Sequence, residues 1–257
     1  MDPLFNYYDP QERSPPEAQS TLSIQGIESL LCNYPDRPFV DTLIGIVKHG
    51  AKIGHTGQPS KICLHNHHSS FVNAHIIDQA IAKELQAGRM KAIPHLPLDK
   101  YICSPLGLVP KKTDGVQTGW RLIFDLSAPS GKSVNDGIPT ECGAISYEAL
   151  KYAIQLVKQG KGCQMIKRDL KSAFCHIPAA VSDYWVMILE WKGQYYVDMC
   201  LPFGLRTLPI SSIYSLRPFT GYSHPYTTGL FPTTSTTSSP CFLQTLISIE
   251  SQHNSMK

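Results

Sequence analysis

The sequence predicts an α+β fold. Two stretches carry apolar residues at helical spacing, and short strand-like runs punctuated by Gly, Pro and Asp alternate with them. An apolar fraction of 42% over 257 residues is enough for a packed core. Such interleaving favours an α+β or α/β arrangement.

Residues 1–20, rich in Pro, Gln, Glu and Ser, are expected to be disordered. Residues 21–72 read as a connecting region, partly helical. There "DTLIGIVKHGAKIG" fits a short helix broken at Gly50, and "TGQPSK" fits a loop. "NAHIIDQAIAKELQAG" predicts a helix with Asn73 as N-cap, a stripe of Ile77, Ile81 and Leu85, and Gly88 as the stop. "PLGLVP" and "WRLIFDL" predict two strands, with "KKTDGVQTG" as the hairpin connection. "SYEALKYAIQLVKQG" predicts a second helix, capped by Ser146, striped by Leu150, Ile154 and Val157, and ended by Gly160. "CQMIKRD" reads as a short strand that arrives at Asp169. "YWVMILEW" and "QYYVDMC" read as a second hairpin across the Lys192-Gly193 turn. Residues 73–206 are therefore expected to form the ordered domain. Residues 207–257, dominated by Ser, Thr and Pro with no sustained period, are expected to be an unstructured tail.

The formal charge of +3 is mild, but its distribution is not. Between Lys83 and Lys171 there are fourteen Lys/Arg against eight Asp/Glu, so the middle of the chain holds more than the whole surplus. That suits a groove facing phosphates; a solvated surface of mixed charge is the alternative. The eight cysteines are scattered without any Cys-x-x-Cys, and the polar, proline-bearing start does not read as a signal peptide. They are expected to be reduced thiols of an intracellular protein, cytoplasmic or nuclear. No apolar run approaches the roughly 18 residues that a membrane-spanning helix needs.

Asp169 is the first candidate for chemistry. A carboxylate at the end of a buried strand is costly unless a cation meets it. Mg²⁺ takes hard oxygen ligands, and an aspartate beside a free backbone carbonyl supplies two. The alternative is a capped turn or a salt bridge with Lys167, Arg168 or Lys171. "CLHNHH" offers Cys63, His65, His67 and His68 as soft ligands, but no second ligand pair stands at a zinc-site distance, so it reads as a histidine-bearing loop. "GLVPKKTDG" lacks the second glycine and the Gly-Lys-Ser/Thr ending of a phosphate-binding loop.

Four pieces, "SPLGLVPKKTDG", "WRLIFDLSAPSGKSVNDGIP", "IKRDLKSAFCHIP" and "LPFGLRTLP", stand in an order and at a spacing that resembles the fingers and palm of a reverse transcriptase, an RNA-directed DNA polymerase. The resemblance covers roughly residues 74–208. It is strongest to retrotransposon enzymes of the gypsy-like and DIRS-like kinds. It implies a partial fingers–palm fold, two Mg²⁺ ions, and a template–primer of RNA or DNA with a deoxynucleoside triphosphate as partners. It also assigns roles. Asp169 resembles the first catalytic aspartate of the palm, with the Leu170 carbonyl as an auxiliary metal ligand. Phe174 resembles the aromatic gate beneath the sugar of the incoming nucleotide; a core phenylalanine is the alternative. Arg121 resembles the arginine that clamps the triphosphate, and Lys112 the lysine that meets its γ-phosphate. For Lys112 an exposed turn lysine is the alternative. Phe203 and Gly204 resemble the residues lying against the nucleotide and template base, and an ordinary Pro-Gly turn after a strand would look the same.

The family's second set of metal-binding carboxylates, a Tyr-x-Asp-Asp turn, belongs some tens of residues beyond "LPFGLRTLP". No Asp follows Asp198 here, and Glu250 is the only acid after it. The resemblance thus implies a truncated or frame-disrupted domain, departing from an ancestral frame near Arg206–Leu208, and one that does not polymerise. A non-catalytic nucleic-acid-binding remnant is the second expectation. An unfolded relic, prone to aggregate through the exposed face of its first hairpin and of "YWVMILEW", is the third.

Overall fold

The computed structural model describes residues 15–18, 22–143, 164–166, 173–207 and 242–244. The chain divides into two units, residues 1–144 with 173–212 and residues 145–172 with 213–257.

Two helices lead the first unit. Helix α1 (Ile24–Leu30) is capped by Ser23, whose hydroxyl accepts from the Gly26 N–H at 3.2 Å. Helix α2 (Arg37–His49) starts at Asp36, whose carboxylate accepts from the Phe39 N–H at 3.1 Å, and Pro38 stands in its first turn. Its stripe of Phe39, Val40, Leu43 and Ile46 is buried. The helix ends at Gly50, as the sequence predicts, at φ +83°. A Cβ on Gly50 would meet the Ala179 carbonyl oxygen at 2.5 Å, so the position needs glycine for space as well as for backbone angle. The cap and Pro38 explain why α2 begins ahead of "DTLIGIVKHG".

A five-stranded mixed sheet forms the centre. Its members are β1 (Lys61–Cys63), β2 (Met90–Ile93), β3 (Tyr101–Cys103), β7 (Ile188–Trp191) and β8 (Gln194–Asp198), in the order β1-β3-β7-β8-β2. β1 runs parallel to β3 and β3 parallel to β7, whereas β7 pairs antiparallel with β8 and β8 with β2. The Lys192-Gly193 connection has φ of +53° and +80°, the backbone of a tight two-residue hairpin turn. "YWVMILEW" is only half a strand. Val181–Val186 is a 3-10 helix, and extended pairing begins at Ile188.

Two short helices, α3 (His68–Val72) and α4 (Ala74–Gln86), precede β2. Ile77 and Ile81 of α4 are buried as their spacing predicts, but Leu85 is 37% exposed. Asn73 makes no side-chain cap to α4. It lies between α3 and α4, and its carbonyl accepts from the Ile76 N–H. The second sheet is the hairpin of β4 (Leu106–Thr113) and β5 (Val116–Phe124). Its strands run further into "KKTDGVQTG" than composition suggests. Asp114 and Gly115, at φ +52° and +81°, make the whole turn. One core joins the pieces: Ile77, Ile81, Met90, Leu106, Leu108, Leu189 and Trp191 are buried together, with Trp120, Leu122 and Phe124 packed against them.

In the second unit β6 (Gln164–Ile166) pairs in parallel with β9 (Phe242–Gln244). β6 lies within the strand expected over "CQMIKRD", and β9 within the stretch expected to be an unstructured tail. The helix expected over 146–160, Asp169 and Leu170 lie outside the described residues. Among the described residues no helix is long and apolar enough to cross a membrane, and six cysteines are free thiols, of which Cys103, Cys142 and Cys200 are buried.

Candidate functional site

Of the predicted site residues, Lys112, Arg121, Phe174, Phe203 and Gly204 fall in two places within the first unit, whereas Asp169 and Leu170 lie outside the described residues. The β4–β5 hairpin carries Lys112 and Arg121. Arg121 stands opposite Val109 and is half-buried; Lys112 stands opposite Gln117 and is exposed. The register shifts between Lys111 and Lys112, a bulge that increases local twist and re-aims the outer part of the hairpin. Among the described residues neither the Lys112 nor the Arg121 side chain has an ion-pair or hydrogen-bonding partner.

The second place is built from a 3-10 turn, Ala173–His176, and the loop after β8. Here the rings of Phe174 and Phe203 lie 6.2 Å apart between centroids, tilted by 45°. Phe174 is half-buried and Phe203 is 41% exposed. A closed core would hide such a pair. Here one ring supports the other and leaves aromatic surface open. Gly204 follows at φ +97°, where a side chain is strained, although a Cβ would have room, with Phe124 O at 3.9 Å its nearest neighbour.

Asn135 links the two places, and sequence reading did not single it out. It is 8% exposed. Its amide nitrogen donates to Ser127 Oγ at 3.0 Å and to the Gly204 carbonyl at 2.9 Å, while its Oδ1 accepts from the Arg206 N–H at 2.8 Å. Its own backbone N–H donates to the Leu126 carbonyl at 2.9 Å. The end of β5 is thereby fastened to the "PFGLR" loop. Arg206 adds a second tie, its guanidinium donating to the Ile138 carbonyl at 2.6 Å. The available signal was one amide inside "SVNDGIP", between Val134 and Asp136.

The histidine-bearing tract is structural. Asn66 Oδ1 accepts from the Leu106 N–H and its Nδ2 donates to the Glu190 carbonyl, each at 2.8 Å. His67 Nε2 meets Asp125 Oδ2 at 2.9 Å, and the other Asp125 oxygen accepts from the Ser127 N–H at 3.1 Å. These contacts fix where β4 starts and where β5 ends. Among the described residues no three His, Cys, Asp or Glu side chains gather as a metal site.

No family model matches this sequence, and no curated protein matches it. Solved structures do. The similarity is to foamy viral protease-reverse transcriptases. The foamy viral enzyme in complex with RNA/DNA hybrid superposes with a TM-score of 0.45 at 18% identity, over 82% of this chain and 29% of that one. The foamy viral enzyme in complex with dsDNA gives 0.42 at 17%, over 76% of this chain and 40% of that one. The native prototype foamy virus enzyme gives 0.40 at 17%, over 78% and 26%. This chain therefore spans less than half the length of the foamy viral protease-reverse transcriptases it matches.

Proposed function

We propose that the chain is a retroelement-derived reverse transcriptase domain, comprising fingers and the first part of a palm, that binds nucleic acid and does not polymerise by itself. One observation carries the reading. The Phe174–Phe203 pair and Gly204, from two separate motif pieces, meet in one place, and Asn135 ties that place to the hairpin bearing Lys112 and Arg121. In this reading Arg121 pairs two phosphate oxygens with its planar fork, and Lys112 acts as a mobile point charge. Phe174 faces the sugar, where a flat ring would collide with a 2′-hydroxyl. Phe203 and Gly204 lie against the base.

Inactivity follows from the carboxylates. Two divalent ions held about 3.5–4 Å apart put four positive charges in a small volume. The resemblance assigns Asp169 and the Leu170 carbonyl to them, and residues 199–257 add one acid, Glu250. A single aspartate does not offset that repulsion, and losing a metal removes electrostatic stabilisation, usually the largest catalytic contribution. A departure of the reading frame, or a splice junction, near Arg206–Leu208 accounts for the loss. Translation of the downstream DNA in the other two frames should then reveal a Tyr-x-Asp-Asp-like turn.

A non-catalytic nucleic-acid-binding role is the second reading, favoured by Lys112 and Arg121, whose side chains have no partner among the described residues. Magnesium-dependent primer extension by the purified chain tests the inactivity, and template–primer binding tests the nucleic-acid role. We expect no extension, together with binding of a template–primer that weakens steeply with salt. Extension abolished by Asp169→Asn would overturn the inactivity. Absence of both extension and binding would overturn the nucleic-acid role.

A further inference from the structure

Cys63 and Cys103 are register partners on neighbouring parallel strands, one ending β1 and the other ending β3. Partners in a parallel pair point to the same face of the sheet, and the strands stand about 4.8 Å apart. That spacing lies within the roughly 4.4–6.8 Å between Cα atoms that a disulfide bridges. Among the described residues no other two cysteines are register partners. The pairing of later strands shows what else shares the face. Cys103 pairs with Ile188, Glu190 stands two residues further along β7 on the same side, and Tyr195 of β8 is its partner. Burial, and then the Cys63 and Cys103 sulfurs, push the Tyr195 hydroxyl up, which sets both sulfurs on that side.

The two thiols differ in access. β1 is an edge strand and Cys63 is exposed, whereas Cys103 has no exposed surface. Burial first, and then the Cys63 sulfur through its charge and a hydrogen bond, push the Cys103 thiol up. A solvent oxidant therefore meets Cys63, and Cys103 does not start the reaction. Both residues also stand at the root of the β4–β5 hairpin. Three positions past Cys63, Asn66 accepts from the Leu106 N–H and donates to the Glu190 carbonyl; three positions past Cys103 is Leu106 itself, where β4 begins.

We propose that Cys63 and Cys103 are a redox-responsive pair, which a hydroperoxide closes to a disulfide that staples β1 to β3 beneath the hairpin. The peroxide transfers one oxygen to the Cys63 sulfur: an S–O bond forms, the O–O bond breaks, and the peroxide leaves as an alcohol or water. Cys103 then attacks that sulfur. The S–S bond forms, the S–O bond breaks, and the Cys103 proton leaves with the oxygen as water. One peroxide is reduced for each pair oxidised. Cys103 needs no diffusional encounter, because the sheet already holds it beside its partner. A small-molecule thiol reverses the bond by exchange. The staple matters because β1 has three residues and a single neighbouring strand.

Peptide mapping of the whole chain tests the pair. The reduced protein is treated with hydrogen peroxide, denatured, blocked at its remaining thiols and digested with trypsin. Cys63 then lies in the peptide 62–83 and Cys103 in 101–111, each the sole cysteine of its peptide. We expect the two peptides joined, lighter by the two thiol hydrogens and parted by dithiothreitol. Cys63→Ser, a change at an exposed position, should lose the link. Amides of 62–64 should exchange about tenfold more slowly in the oxidised chain than in the reduced one. A sulfenic or sulfinic acid on Cys63 beside a Cys103 that still takes the blocking reagent would overturn the proposal. So would a link from Cys63 to any other cysteine, or one that doubles the mass on a non-reducing gel. Equal exchange in the two forms would overturn the staple.

Discussion

The Asn135 side-chain amide donates to the main-chain carbonyl of Gly204 at 2.9 Å, joining positions 69 residues apart in sequence. With Ser127 and the Arg206 N–H, that one side chain uses both of its amide protons and its oxygen. It is the joint between the hairpin and the aromatic pair.

Asn135→Ala should therefore lower stability by roughly 2–4 kcal/mol, because buried partners lose their bonds and a void remains. Asn135→Asp, which keeps volume and acceptor but loses both donors, should also destabilise. Urea unfolding midpoints read the effect, with an unchanged slope expected. A midpoint equal to wild type would show that the loop holds without the amide.

Gly204→Ala isolates backbone strain from crowding. Its φ is +97°, yet a Cβ there would have room. We expect a loss of about 1–2 kcal/mol. Gly119, with ordinary φ and nothing within 4 Å of a Cβ, is the control and should accept Ala with little change. Thermal melts of the pair decide it.

Asp198 gives the fold a pH dependence. Burial, then the Glu84 charge, pushes its carboxyl up to about 7, against the pull of the Cys200 N–H and Arg89. The unfolded chain ionises this group near pH 4, so the contribution of this one group to stability is fully present below that pH and is lost as pH rises toward 7. Asp198→Asn keeps the acceptor for Cys200 N–H, which stands 3.2 Å from Oδ1. It should stabilise by roughly 2–4 kcal/mol at pH 8 and have little effect at pH 4. Equal effects at both pH values would reject the buried-charge account.

His55 acts in the other direction. Burial lowers its pKa despite the nearby Asp183 charge, and Trp185 covers it edge-on at 5.0 Å. Protons then favour the unfolded chain, so this part of the stability is present above pH 6.5 and is lost as pH falls below it. His55→Gln should flatten the acid limb of a stability–pH profile below pH 6.5.

Lys112→Ala should leave the melting temperature unchanged, since the side chain is exposed and without a partner among the described residues. If Lys112 meets phosphate, the salt slope of template–primer binding should fall by about 1. Arg121→Lys should weaken binding more than charge alone predicts, because a bidentate fork is lost.

Local chemistry made much of the fold legible. Gly50 and Gly193 mark a helix end and a turn, and Ile77 and Ile81 mark a buried helix face. Errors came where tertiary packing prevailed. Leu85 sits on the right stripe but one turn beyond the core, and "YWV" has strand composition yet closes a 3-10 helix, where Tyr184 meets the Glu17 N–H and Trp185 meets His55. The hairpin at "KKTDGVQTG" was legible, but composition hid how tight its turn is, with only Asp114 and Gly115 between the strands. Of the site, the aromatic pair could be named from motifs. Asn135 could not, since its three side-chain partners come from positions 127, 204 and 206.

The register of the central sheet also dictates when it can assemble. Met90 pairs with Asp198 and Cys103 with Ile188, so the edge strand and the middle of the sheet both wait for segments made much later. A ribosome releasing this chain exposes α4 and the β4–β5 hairpin, which form from local contacts, long before β7 and β8 emerge to cover their apolar sides. Closing such long loops is slow. During synthesis, those apolar sides stay uncovered from the emergence of residue 124 until that of residue 198.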